Sequence, residues 1–289
     1  MPADYTPLFT WVREREEIRK RKDVHHDPLP YTLDQILATY RFCNVRREDD
    51  RGTVWIREYI REPFADSPYL WFMLAIARQI NWPDTLAEMI AHPHAWPKDE
   101  TFDPGDLTGA LNARQRRGGK LYTGAYMISA PSTKGADKQQ YIAETVCGAL
   151  WDRRDSFAHW FAGKPTLQGT HERLTRSNGW GPFMAYQAVV DMRFTRLLNQ
   201  ASDFQTWAAA GPGTIRGLNR LHGRRVDAAL RQEQALSEMR AIYKVVQQET
   251  GVAMDFSDVP NILCETDKYL RVKNGEGKPR ALYVPGRGS

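Results

Sequence analysis

Cysteine is scarce in this chain, with three in 289 residues, at positions 43, 147 and 264. Odd in number and far apart, they make no disulfide framework and predict reduced thiols. No stretch reaches the ~20 apolar residues that a membrane-spanning helix needs, and the opening MPADYTPLFTWVREREEIRKRK lacks the apolar segment of a signal peptide. The expectation is a cytosolic protein. Alternating runs of β-branched residues are nearly absent, as are internal repeats and low-complexity tracts. Gly118-Gly119-Lys120 has neither the earlier glycine nor the following hydroxyl residue of a Walker A loop. Gly211-Pro212-Gly213 with Gly217 follows no predicted strand, so it is not a dinucleotide fingerprint. Metal spacings are missing too: there is no Cys-x-x-Cys and no His-Glu-x-x-His, and His25-His26 and His92-Pro93-His94 read as surface loop residues. No metal and no cofactor is expected.

What is present is helical periodicity. The composition, 42% hydrophobic and 26% charged with a net charge of +5, supports a large core. The mild basic excess favours a polyanionic partner without naming one. Spacing predicts an all-α protein with helices over 6–22, 32–60, 68–80, 84–91, 106–116, 138–161, 182–198, 226–250 and 259–272. The best strand candidate is 120–129, a small β-ribbon or an extended connection. The first helix ends in a basic run that reads either as a solvated face or as a DNA-contacting arm, which sets 1–30 apart from a helical catalytic domain over 31–289. A soft boundary at 131–136 would divide that domain into two lobes with a cleft.

Three constellations stand out. In the first, Arg41, Asn44, Arg47 and Arg51 fall on one side of the predicted helix at about 100° per residue, continuing a stripe that holds Leu37 and Tyr40. Guanidinium groups facing inward need anions. Either internal carboxylates such as Asp49 and Asp50 supply them, or the stripe is an anion pocket. In the second, Asn178-Gly179-Trp180-Gly181-Pro182 opens a helix with free backbone N–H groups, either as a tight turn between packed helices or as the phosphate grip of a helix-hairpin-helix module, and Asp191 follows on the next helix. The third pairs the Gly-rich turn Gly211 to Gly217, carrying Arg216, with a helix face of Cys264, Lys268 and Arg271 beside Glu265 and Asp267, either as a helix C-cap and an ordinary charged helix or as further phosphate donors.

Taken together, Arg41-Phe42-Cys43-Asn44-Val45-Arg46-Arg47-Glu48-Asp49-Asp50-Arg51, Gly179 to Gln187 with Asp191, Gly211-Pro212-Gly213 with Arg216-Gly217, and Cys264-Glu265 with Asp267-Lys268-Tyr269 resemble the α-glutamyl/putrescinyl thymine pyrophosphorylase family, the helical domain associated with 5-hydroxymethyluracil DNA kinases. The resemblance spans about residues 30 to 272, and the kinase P-loop is missing, so the chain resembles the stand-alone helical enzyme. It implies a fold related to helix-hairpin-helix DNA glycosylases and a role in bacteriophage thymine hypermodification, in the cytoplasm of the infected host. The implied substrates are DNA carrying phosphorylated or pyrophosphorylated 5-hydroxymethyluracil, made by a partner kinase, and an amine such as glycine or putrescine. The amine displaces the phosphate and forms a C–N bond.

That chemistry asks for cations around the leaving group and a base for the incoming ammonium. Under this resemblance Arg41, Arg47, Arg51, Arg216, Lys268 and Arg271 are the phosphate-binding candidates, and Asn44 reads the uracil edge. Asp191 is the first candidate base, then Asp50, then Glu265 or Asp267; Cys264 is a candidate covalent participant. DNA would be held by Gly179, Trp180 and Gly181 and by Arg114, Arg116, Arg117 and Lys120. An extruded base would stack on Trp180, Phe183, Tyr186 or Tyr40. The competing readings are a glycosylase that excises a modified base with Asp191, and a non-catalytic DNA-binding module.

Overall fold

A computed structural model describes residues 3–123, 137–279 and 281–284. Its α-helices, in chain order, are α1 Thr6–Arg19, α2 Gln35–Thr39, α3 Arg51–Ile56, α4 Leu70–Ile80, α5 Pro83–Ala91, α6 Pro104–Arg116, α7 Lys138–Gln140, α8 Ala149–Trp151, α9 Arg154–Ala162, α10 Leu167–Thr175, α11 Pro182–Arg193, α12 Pro212–Leu221, α13 Gln232–Thr250 and α14 Val259–Lys273. Among the described residues there is no sheet, only an isolated antiparallel bridge between Tyr40 and Leu282, and no helix is long and apolar enough to cross a membrane. The expected all-α class is what the described residues form. The ribbon expected over 120–129 is not formed at 120–123; the rest of it, and the boundary expected at 131–136, lie outside the described residues.

The chain divides into two compact units, one of residues 1–51 and 205–289, the other of residues 52–204. In the first unit α1 buries Leu8, Trp11 and Val12 and packs on α13 and α14. This N-terminal helix is thus part of a core, with Pro7 pre-setting its first turn. α12 and α14 lie unusually close because glycines face the neighbour. A Cβ at Gly217 would collide with the Leu263 carbonyl oxygen, and one at Gly213 with Cys264 Sγ. Gly217→Ala is therefore expected to lower stability by about 1–3 kcal/mol through overpacking. Gly109→Ala, on a helix where a Cβ meets nothing within 4 Å, is expected to leave it unchanged or raise it. Urea titrations of both variants check the pair.

In the second unit α4 is buried on all sides from Leu70 to Ile80, and α11 is buried from Met184 to Arg193. α4 and α10 both pack on α11. Aromatic rings fill much of the surrounding core: Trp71 stacks on Phe157 at 4.3 Å, and Phe72 meets Trp151 and Phe102 at 5.1 Å each. Such pairs stabilise beyond the area they bury, by about 0.5–1.5 kcal/mol each.

The helix expected over 32–60 is broken, which corrects the reading of Arg41, Asn44, Arg47 and Arg51 as one helix face. Asp34 caps α2 by accepting from the Ile36 and Leu37 N–H groups, and the helix stops at Thr39. Tyr40 is extended, with the Arg41 N–H donating to the Ala281 carbonyl and the Tyr283 N–H to Thr39. Residues 41–46 then run as a loop into a short 3₁₀ turn, Arg47–Asp49. Carboxylates take over the backbone donors here: the N–H groups of Cys43, Asn44 and Arg47 donate to Glu265, Asp50 and Asp258. A helix would have needed those N–H groups for its own i−4 carbonyls.

Candidate active site

The first unit gathers most of the sequence candidates. Cys43 N–H donates to Glu265 Oε2 at 3.0 Å, and Lys268 Nζ lies 2.6 Å from the same oxygen. Lys268 also sits over the Phe42 ring, 4.7 Å from its centroid. Asn44 N–H donates to Asp50 Oδ1 at 2.9 Å, Asn44 Nδ2 to the Asp49 carbonyl at 2.8 Å, and Asn261 Nδ2 to the Asn44 carbonyl at 2.9 Å. Arg47 N–H donates to Asp258 Oδ1 at 2.9 Å. The loop from Phe42 to Asp50 is thereby pinned along α14 by side-chain bonds from both sides.

Arg15 is part of this cluster and was missed from the sequence. Its Nη2 donates to Asn44 Oδ1 at 2.6 Å and its Nε to the Cys43 carbonyl at 3.0 Å. Desolvation lowers its pKa, against the pull of Asp50 and Glu265. The signal was there: Arg15 follows the buried Trp11 and Val12 at i+4 and i+3, on the inward face of α1. Asp258 was also missed, because a lone carboxylate in the turn before α14 carries no motif.

Titration in this cluster is shaped by crowding. Burial pushes Asp50 up to about 6, opposed by the Asn44 N–H and the Arg47 and Arg15 charges. Burial also pushes Asp258 up to about 7, against the N–H groups of Arg47 and Asp255. Desolvation disfavours the Lys268 ammonium, yet the charge and hydrogen bond of Glu265, together with Cys43 and Cys264, hold the pKa above the usual lysine value. A carboxyl with a raised folded-state pKa binds more protons folded than unfolded, so its contribution is full below pH 3.8 and is lost as pH rises through the folded value. Asp50→Asn cannot titrate. Relative to the native chain it is expected to gain stability steadily between pH 4 and about 6, then level off. Urea unfolding at several pH values checks this, and a pH-independent difference would contradict it.

Several candidates are already committed to partners. Asp267 is buried and accepts from Arg216 Nε and Arg220 Nε, both at 2.8 Å, which corrects its reading as an available base and that of Arg216 as an uncommitted cation. Burial pushes the Cys264 thiol up to about 11. It is thus protonated near neutrality, and with Gly213 pressed against its sulfur its evident role is packing, not nucleophilic attack. Arg271 is half-buried on α14, with a buried Nε that meets no acceptor among the described residues. Arg41 and Arg51 are exposed.

The remaining candidates lie in the second unit. Asp191 is 0% exposed and forms a two-bond ion pair with Arg78, which also donates to Thr53 Oγ1 at 3.0 Å. A general base must reach the proton it takes, and Asp191 offers no open surface, so the structure gives it a scaffold role. Gly179 has φ +76°, and a Cβ there would strike Val146. Trp180 is buried, with Nε1 donating to the Val146 carbonyl at 3.3 Å, so it is a core ring and not a stacking platform; Tyr186 is buried as well, while Phe183 is exposed. Gly181 caps α11 ahead of Pro182. Arg114 and Arg117 both pair with Glu88, Lys120 Nζ lies 3.6 Å from the Trp82 ring centroid, and Arg116 is exposed. Much of this basic run is thus tied down within its own unit.

Beside the Arg15 cluster in the first unit is a cavity of about 240 Å³, lined by Arg15, Lys22, Tyr40, Arg41 and Phe42 among others. It shares Phe42 with the pinned loop and Arg15 with α1, which places an open space next to the ionisable cluster.

The family described as "5-hmdU DNA kinase, helical domain" matches residues 4–279. A "5-hmdU DNA kinase" from Bacillus phage SP10 is 24% identical over 225 residues, covering 73% of this chain and 35% of that protein. The chain thus corresponds to about a third of the length of that curated relative. No solved structure matches.

Proposed function

The chain belongs to the family of 5-hmdU DNA kinase helical domains, and from that premise we propose that it acts in phage thymine modification as an amine transferase. The proposed substrate is DNA bearing 5-(pyrophosphoryloxymethyl)uracil, supplied by a hydroxymethyluracil DNA kinase in the infected host. In the proposed step the neutral nitrogen of an amine attacks the 5-methylene carbon. The C–N bond forms as the C–O bond breaks, its electron pair leaves with diphosphate, and the nitrogen gives up a proton.

The observation that carries this reading is the convergence of the 41–51 segment with α14 in one unit: Lys268, Glu265 and the Cys43 amide meet at one carboxylate oxygen, and Asp50 lies within the field of Arg15 and Arg47. Lys268 and Arg47 are the groups proposed to hold the departing phosphates, where oriented cations strengthen as charge develops. Asp50, with a pKa of about 6, suits a general base near neutrality, since it is largely ionised and still basic enough to accept a proton. Asn44 is buried, its Oδ1 accepting from Arg15 and its Nδ2 donating to the Asp49 carbonyl, which corrects its reading as a reader of the uracil edge and gives it the role of fixing the loop. The Gly179 and Gly181 amides and the exposed Arg116 are proposed backbone contacts, the Trp180 N–H being taken by the Ser177 carbonyl.

Incubation with DNA carrying the pyrophosphorylated base and a panel of amines, followed by digestion to nucleosides and mass spectrometry, tests the proposal. An aminated nucleoside is the expected product. Released free base would instead identify a glycosylase, and an unchanged nucleoside a binding module.

A further inference from the structure

We propose that the cavity beside the Arg15 cluster is a receptor for one nucleotide, its base among tyrosine rings and its phosphate on guanidinium groups. The inference rests on the nucleic-acid reading above and adds to the motif residues Tyr40 and Arg41 a site completed by Arg15, Lys22, Tyr31 and Tyr283, which no motif marks out.

The lining combines two kinds of group. Tyr31, Tyr40 and Tyr283 supply rings, and Arg15, Lys22 and Arg41 supply cations, while no aspartate or glutamate lines the cavity among the described residues. Aromatic walls with a cationic edge match a nucleotide, whose base stacks on aromatic side chains and whose phosphate takes charge-assisted hydrogen bonds. An amine donor would meet the Arg15 and Arg41 guanidinium groups and no lining carboxylate there. Size agrees: about 240 Å³ falls just below the roughly 300–1,000 Å³ of pockets for drug-sized ligands, so one base and its phosphate fit better than a dinucleotide.

Two further features point to a ligand. Arg15 Nη1 is buried with no acceptor among the described residues, although the other nitrogens of this guanidinium that donate are well placed on Asn44 and Cys43. Arg41 projects from the strand-like stretch where its N–H meets Ala281, and it is exposed with no ion pair among the described residues. The chain folds its C-terminal stretch onto this site, since the Tyr40–Leu282 bridge brings Tyr283 to the wall. Phe42 also lines the cavity, and its ring carries Lys268 Nζ at 4.7 Å. A nucleotide seated here would lie next to the ammonium proposed to hold the leaving group.

Calorimetric titration of the full chain with thymidine 5′-monophosphate, thymidine and inorganic phosphate tests the receptor, alongside a thymine-containing duplex with 2-aminopurine next to the thymine. Saturable binding of the mononucleotide, tighter than thymidine or phosphate alone and weakened at least tenfold by Arg41→Ala and by Tyr283→Ala, is expected. Binding of the duplex alone, with a rise in 2-aminopurine emission that both substitutions abolish, would equally support the site and assign its nucleotide to DNA. Equal binding by native protein and both variants, or no saturable binding of either probe, overturns it. Circular dichroism melts confirm that the variants are folded. A native chain that transfers amines but binds none of these probes saturably would remove the receptor and leave the transferase reading standing. Nucleotide binding with no aminated product would do the reverse.

Discussion

Asp191→Ala is expected to destabilise the protein by about 3–5 kcal/mol, the range for removing one member of a buried ion pair. Asp191 is 0% exposed, and both its oxygens accept from Arg78. Removing the carboxylate strands a guanidinium inside the α4–α11 packing, where the neutral oxygens of Thr53 and Asn81 accept from it but carry no balancing charge. Arg78→Ala should cost a similar amount by stranding the acid. The double variant Arg78→Ala/Asp191→Ala should cost much less than the sum of the two single variants, because removing both side chains strands no charge. Urea unfolding of the four chains measures the coupling. Simple additivity would mean that the pair contributes nothing as a pair. A folded Asp191→Asn with native stability and no transfer activity would return this residue to the chemistry.

Lys268→Ala is expected to reduce amine transfer by about 10²–10³-fold, the scale on which removing one oriented electrostatic donor acts in related sites. Stability complicates the single substitution, since Lys268 is the ion-pair partner of the buried Glu265 at 2.6 Å. Lys268→Met/Glu265→Gln separates the two effects. The neutral pair keeps an acceptor for the Cys43 N–H, so folding should recover while transfer stays low. If turnover recovers together with stability, the ammonium only props up the loop and does not hold the departing phosphate. Single-turnover kinetics with urea melts on the same samples decide between these outcomes.

The helical class was legible because apolar residues recur at helical spacing, and α4, α5, α6 and α14 fall close to their expected spans. Composition at the caps helped: Pro83, Pro104, Pro182 and Pro260 open helices, as their fixed φ allows. The 41–51 segment misled for a physical reason. Its side chains have helical spacing, but its backbone donors are claimed by Asp50, Asp258 and Glu265, and two of those acids lie more than 200 positions away. Periodicity cannot register a competitor that distant. Asp191 misled in the same way, because its partner Arg78 sits in a helix otherwise so apolar that it gives no hint of a charge inside it.

Sequence alone settled the residue types that any chemistry here must use and the order of the motifs along the chain, because helical spacing and Gly-Pro turns are local properties. Tertiary structure decided which of those groups remain open to a substrate. Ion pairing depends on which carboxylate arrives beside each cation: Arg78 closes off Asp191 and Asp267 engages Arg216, while Arg41 is left exposed at a cavity whose lining carries no acid. Such pairings form between distant segments, and their strength depends on how much water the fold removes around them.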